Sequence, residues 1–378
     1  MKRKNCAIFT MCTFLVTGCT PDMPSHSEVP TVPPLVTEKS TTAFSEESTA
    51  PESSDTPEKE TTEFRLRHIR FPDEEYILQS AAVSDDGLIY YCAGRTDEET
   101  FENIAELYQL FPDAALEESC QAAAWMTLLS DTLAGVTSFD LMPDGGICAL
   151  VCGDPSEKPP DVWDAYYENL ENQWFLLRYD AAGVLTDKID LTAISDSPES
   201  LSFTGISTDA QGQICISVLN GNAVQIWILD EAGILQRQIS AERFSSISSM
   251  RIRSDGTLLL FGQDPEYCSI LAELDMLSGE LQEVRTFSEG EALVFCAGRD
   301  ASAPYYYADA AGVYYEQAEA EQIPVFFWED TDISGADVYW LEALAENRFA
   351  VMYTDESGVA AAVILEILDK NELKSELF

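Results

Sequence analysis

The sequence predicts an all-β fold: a β-propeller of six blades, each of four antiparallel strands, with seven blades as the alternative count. Three observations lead there. Ser202 to Ile239 holds four short apolar and β-branched runs, split by turns at Asp209-Ala210-Gln211-Gly212, Asn220-Gly221-Asn222 and Asp230-Glu231-Ala232-Gly233. That unit recurs, edited, along most of the chain, and tandem units too small to bury their own faces mark a propeller. Ahead of the first unit stands a strictly alternating run, Phe64 to Phe71, free to complete the last blade.

Residues 1–18 read as a lipoprotein signal peptide. Lys2-Arg3-Lys4 give the positive start, and Cys6 to Thr17 form an apolar run short for a bilayer span. The run ends at Val16-Thr17-Gly18-Cys19, which resembles the bacterial lipobox. The resemblance makes Cys19 a lipid attachment site, so that acyl chains and not a helix hold the protein to a membrane. Residues 19–63 are rich in Ser, Thr, Pro and Glu with few large apolar side chains. Such a segment buries too little to offset its ordering entropy, and a disordered tether is expected, with a stretched reach on the order of 140 Å.

The propeller is assigned to residues 64–368. Blade one runs from Tyr76 to about Ala122, turning at Ser84-Asp85-Asp86-Gly87. Blade two begins near Ala134, turns at Pro143-Asp144-Gly145-Gly146, carries an insertion from Gly153 to Trp174, and resumes through Asp180-Ala181-Ala182-Gly183. Blade three is the opening stretch. Blade four repeats it with Arg253-Ser254-Asp255-Gly256 and Asp275 to Gly279. Blade five keeps only the second turn, at Asp309-Ala310-Ala311-Gly312. Blade six, from Asp337, supplies three strands of its own and keeps Asp355-Glu356-Ser357-Gly358; the Phe64 to Phe71 strand then closes the ring. The turn glycines supply positive φ and the aspartates cap the turns. Short helices are expected at Asn103 to Leu110 and Glu366 to Leu377, the latter leading into a C-terminal tail at residues 369–378.

Net charge is −46, with 21 Lys and Arg against 67 Asp and Glu. Nucleic acid is thereby excluded as a partner, since it needs compensating cations. The chain has only two histidines, His26 in the tether and His68 in the closing strand, so Ser-His-Asp and Cys-His catalysis and histidine-led metal sites lack parts. No catalytic residue and no cofactor is assigned, and the chain is expected not to be an enzyme. Seven cysteines follow Cys19, with no CxxC pattern, which points to free core thiols.

Two weaker sites stand beside this. Trp163, Tyr166, Tyr167 and Trp174, on the blade-two insertion amid Asp161, Asp164, Glu168 and Glu171, suit stacking on a sugar face. The helical spacing of Trp163, Tyr166, Tyr167 and Leu170 favours instead a short helix packed on the blade. Asp330, Asp332 and Ser334, with Gly335, begin like a calcium loop, but position twelve is Leu341 where a carboxylate is needed, so no metal is assigned.

The D-x-x-G-x-L turns, Tyr306-Tyr307-Ala308-Asp309, the run Phe326 to Val338 and Glu346 to Val351 give the chain a resemblance to a known group. It resembles the propeller region that precedes the solute-binding domain in lipoproteins of gut-dwelling Firmicutes. The resemblance implies an extracellular module associated with carbohydrate or peptide uptake, although no solute-binding domain follows in this sequence.

The reading is therefore a monomeric, surface-tethered lipoprotein acting as a non-catalytic binding or interaction module, accessory to uptake of a carbohydrate or peptide. Its expected place is the extracellular face of the bacterial cytoplasmic membrane, held through acyl chains on Cys19, with a solute-uptake protein as partner. The alternatives are a polysaccharide-acting propeller enzyme using a carboxylate pair in the channel, and a purely structural protein-interaction scaffold.

Overall fold

The computed structural model describes residues 63–71, 77–84, 86–97, 102–110, 119–156, 173–195, 200–288, 293–298, 304–316, 322–345, 347–355 and 357–368. The signal peptide, Cys19, the tether and the tail at 369–378 lie outside them. Among the described residues no helix is long and apolar enough to cross a membrane.

Alternation along each run puts one set of side chains on either face of its strand, and consecutive runs pair as hairpins. Six sheets result. Blade one is β2 (Ile77–Val83), β3 (Ile89–Thr96), β4 (Asn103–Leu110) and β6 (Ala123–Thr132); blade two is β7 (Gly135–Leu141), β8 (Ile147–Cys152), β9 (Trp174–Tyr179) and β10 (Leu185–Asp190). Blade three is β11 (Leu201–Thr208), β12 (Ile214–Asn220), β13 (Ala223–Leu229) and β14 (Leu235–Ser240). Blade four is β15 (Ser246–Ile252), β16 (Thr257–Gln263), β17 (Ser269–Asp275) and β18 (Leu281–Thr286). Blade five is β19 (Val294–Ala297), β20 (Tyr305–Ala308), β21 (Gly312–Glu316) and β22 (Gln322–Phe327). Blade six takes β23 (Asp337–Ala345), β24 (Arg348–Thr354) and β25 (Ala360–Leu368) from the C-terminal part of the chain and β1 (Glu63–Arg70) from the N-terminal part. The chain is a six-blade β-propeller.

The turns work as their residues require. In blade three the Asp209 carboxylate accepts from the amides of Gln211 and Gln213, both at 2.8 Å, while Gly212 takes φ +82°. Asp230 caps the next hairpin in the same way, through Ala232 and Ile234. In blades five and six the Asp309 and Asp355 turns join the second and third strands, so they lie at the opposite rim from Asp209 and Asp230.

The core is divided into six apolar wedges, one at each junction between neighbouring blades. Four buried cysteines, Cys92, Cys148, Cys215 and Cys296, and two partly buried ones, Cys152 and Cys268, are free thiols. Burial pushes the Cys92 thiol up to about 12.

Asn103 to Leu110 is strand β4 and not a helix. Its apolar residues fit either period over so short a run, and the open third place in blade one decides for the strand. Ala360–Leu368 is likewise a strand throughout, which removes the start of the helix expected from Glu366.

Ring closure has a feature the repeats did not reveal. β1 pairs antiparallel with β25 from Glu63↔Leu368 to His68↔Val363. Its other edge is covered by the three-residue strand β5 (Ser119–Gln121), which leaves blade one and pairs parallel with β1 from His68↔Ser119 to Arg70↔Gln121. The closing strand is thus held by β25 from Glu63 to His68 and by β5 from His68 to Arg70. Aromatic contacts pin its two ends: Phe64 meets Phe326 of blade five at 5.8 Å, and Phe71 meets Tyr91 and Tyr108 of blade one at 5.7 and 5.5 Å. Removing residues 1–62 should leave the thermal midpoint within about 2 °C, whereas removing 1–70 should lower it by more than about 10 °C or yield aggregate, because β25 becomes an open edge. Differential scanning calorimetry of the two truncations checks this, and equal midpoints would refute the closure.

Candidate functional site at the seam between blades four and five

The innermost strands β2, β7, β11, β15, β19 and β23 surround the axis. One place on each recurs, next to last in the pairing with the second strand: Ala82 opposite Tyr90, Asp140 opposite Cys148, Ser207 opposite Cys215, Arg251 opposite Leu259 and Cys296 opposite Tyr306. In blade six the place falls to Glu342, opposite Ala350 and one pair further from the strand end, just before the Ala343 amide that Cys296 accepts from. The ordinary task of this place is to latch one blade to the next. Asp140 Oδ2 accepts from the Thr208 amide at 2.7 Å, Ser207 Oγ from the Ile252 amide at 3.1 Å, and Cys296 Sγ from the Ala343 amide at 3.2 Å. In each case the donor follows the corresponding place in the next blade.

Ala82 and Arg251 break the series, since neither a methyl group nor a guanidinium has an acceptor to offer. Arg251 Nη2 instead reaches past blade five and donates to Glu342 Oε2 at 2.6 Å, both side chains being largely buried. Burial works against the Arg251 charge, but the Glu342 and Asp140 carboxylates outweigh it and hold its pKa above the ordinary value. Charged residues therefore occupy blades two, four and six, and small ones occupy one, three and five.

The junction that follows Arg251 is also the one with the least apolar packing. Among the described residues, seven buried side chains fill the wedge between blades four and five, against thirteen to seventeen at the others. Polar groups take up the room. Glu273, on β17, lies in one row with Leu259 and Arg251 across blade four. Tyr305 OH donates to Glu273 Oε1 at 2.8 Å and accepts from Arg253 Nη1 at 2.9 Å, and the same nitrogen is 3.3 Å from Glu273. Burial, then the Glu273 carboxylate, pushes the Tyr305 phenol up to about 12. Arg253 is 8% exposed, and its buried Nε has no hydrogen-bond partner. Such a donor costs free energy until something accepts from it.

Arg253 can occupy this place because its turn is capped from elsewhere. Where blade three uses Asp209, blade four has moved the cap to Asp255, whose Oδ1 accepts from the Thr257 amide at 3.0 Å. Aligned repeats show that exchange, but blade two makes the same one at Met142 and Asp144, so it does not mark the seam. The charges Asp140, Glu273 and Glu342 carry no sequence mark of their own among 67 acidic residues.

The sites expected from sequence fall elsewhere. Trp174 lies in β9, 5% exposed, packed 5.4 Å from Phe203 in the wedge between blades two and three. Trp163, Tyr166 and Tyr167 are outside the described residues. Asp330 and Asp332 are exposed on a loop held by Thr331 Oγ1 donating to the Trp328 carbonyl at 2.8 Å, Ser334 is exposed, and Leu341 is buried in the core. Among the described residues no group of three or more His, Cys, Asp or Glu is placed to hold a metal ion.

No family model matches the chain, and no curated protein matches its sequence. Solved structures similar in architecture include virginiamycin B lyase from Staphylococcus aureus with quinupristin, 14% identical, covering 81% of this chain and 100% of that one, with a TM-score of 0.47. The β-propeller domain of the trilobed protease from Pyrococcus furiosus is 10% identical over 79% of this chain and 84% of its own, with a TM-score of 0.45. The Neurospora crassa Pan2 WD40 domain is 12% identical over 78% and 90%, with a TM-score of 0.46. The expectation that the chain is not an enzyme is corrected here. One of these solved structures is a lyase, and a propeller fold by itself does not decide whether a chain is catalytic.

The Arg251–Glu342 pair should be strongly coupled. Arg251→Met or Glu342→Gln alone should each cost about 3 kcal/mol by leaving a buried charge uncompensated, and the double variant should fall short of the sum by about 1–3 kcal/mol. Urea unfolding of the four proteins measures this, and simple additivity would mean that the pair does not interact.

Proposed function

We propose that the protein is a surface-tethered propeller that binds a solute at the seam between blades four and five, next to an uptake system on the outer face of a bacterial cytoplasmic membrane. The seam carries the reading. It is the junction where latch and apolar filling give way to Arg251, Glu342, Arg253, Glu273 and Tyr305. A ligand site is a place where a few polar groups converge amid apolar walls, and this one includes a buried donor still lacking an acceptor.

The cellular placement is supported by the amino terminus: the basic start, the short apolar run, Cys19 in its lipobox-like setting and the Ser/Thr/Pro/Glu-rich stretch. The resemblance to propellers that precede solute-binding domains supports an accessory role in carbohydrate or peptide uptake. The large negative charge disfavours nucleic acid. A second reading, hydrolysis of a polysaccharide by a carboxylate pair, is favoured by one observation: Asp140 and Glu342 occupy the same strand place on alternate blades, with Arg251 held between their charges.

Cys19→Ala should move the protein from the membrane fraction to the medium and abolish incorporation of labelled palmitate; unchanged membrane retention would overturn the anchoring. On glycan and peptide arrays, the full chain in detergent should retain a ligand that Arg253→Met binds at least tenfold more weakly with little loss of thermal stability. Equal binding by both proteins would rule out the seam. Release of reducing sugar, abolished by Glu342→Gln, would instead establish the second reading.

A further inference from the structure

We infer that the seam is built for a neutral, hydroxyl-bearing saccharide in preference to an acidic sugar or a peptide carboxylate; the inference rests on the seam being the binding site. The pairing of its groups carries it. Arg251 stands 2.6 Å from the Glu342 carboxylate and Arg253 stands 3.3 Å from that of Glu273, with the Tyr305 hydroxyl bridging the latter two. Each guanidinium therefore lies beside a carboxylate acceptor. Adjacent hydroxyls on a sugar ring offer the complement, since each can donate to a carboxylate and accept from a guanidinium. A ligand carboxylate offers acceptors alone, and it would have to displace Glu342 or Glu273 from the arginine it sought.

Charge points the same way. The seam sits within a chain of net charge −46. An anion approaches that field at a loss, whereas a neutral ligand does not feel it to first order. The Arg253 Nε gives the specific point of attachment, a buried donor that one ring hydroxyl would satisfy.

Isothermal calorimetry on the full chain in detergent decides it, using neutral hexasaccharides of glucose, xylose and mannose and uronic hexasaccharides of matched linkage. At least one neutral hexasaccharide should bind, at least tenfold more tightly than its uronic counterpart, and the gap should narrow at high salt as the field is screened. Glu273→Gln keeps an acceptor and removes a charge, so it should narrow the gap at least threefold. A uronic ligand binding as tightly as the neutral one would overturn the inference. So would a cationic peptide binding at the seam while all saccharides stay silent, although the seam would then remain the site. If Arg253→Met leaves every affinity unchanged, the seam itself is not the site and both readings fall.

Discussion

No blade of this protein can hide its own apolar faces, and everything else follows from that constraint. A four-stranded sheet buries one face only by leaning on the next, so the core consists of six wedges shared between neighbours. A row of such sheets always leaves two ends exposed. The ring removes them, and it can do so only by borrowing β1 from the far end of the sequence. Gripping that strand between β25 and β5 makes the junction between the ends of the chain as continuous as any other.

Within the ring, one place per blade sets how tightly neighbours hold. A small or acidic acceptor there takes the next blade's amide, as Asp140, Ser207 and Cys296 do. Placing Arg251 in that position gives up a latch, and the 2.6 Å bond to Glu342 restores a connection across two junctions at once. A buried pair of this kind adds less to stability than apolar packing of the same volume would. The polar seam therefore adds less to holding the ring together than an apolar wedge would.

The fold was readable from sequence because its signals are local. Asp-x-x-Gly spacing dictates the turn at Asp209 and Gly212, and alternation in Phe64 to Phe71 identifies a strand in search of a sheet. Signals that depend on the partner element were not readable. Asn103 to Leu110 is too short for its period to separate helix from strand, and β5 follows no pattern at all, existing only because β1 lies beside it. Trp174 illustrates the same limit: an aromatic residue next to a long insertion suggests a binding loop, yet its place on β9 puts the ring in the core. The seam was hidden most completely, since Arg251 and Glu342 meet from blades four and six across 91 residues of sequence.

Amide hydrogen exchange along β1 tests the closed ring most directly. A strand locked into the sheet of the last blade exchanges only with the whole domain, whereas a loosely docked end strand frays alone. The account predicts that the Leu66 to Ile69 amides exchange at the slow rate of the inner strands β11 and β15. Exchange in β1 several orders of magnitude faster, with β11 and β15 still protected, would contradict it.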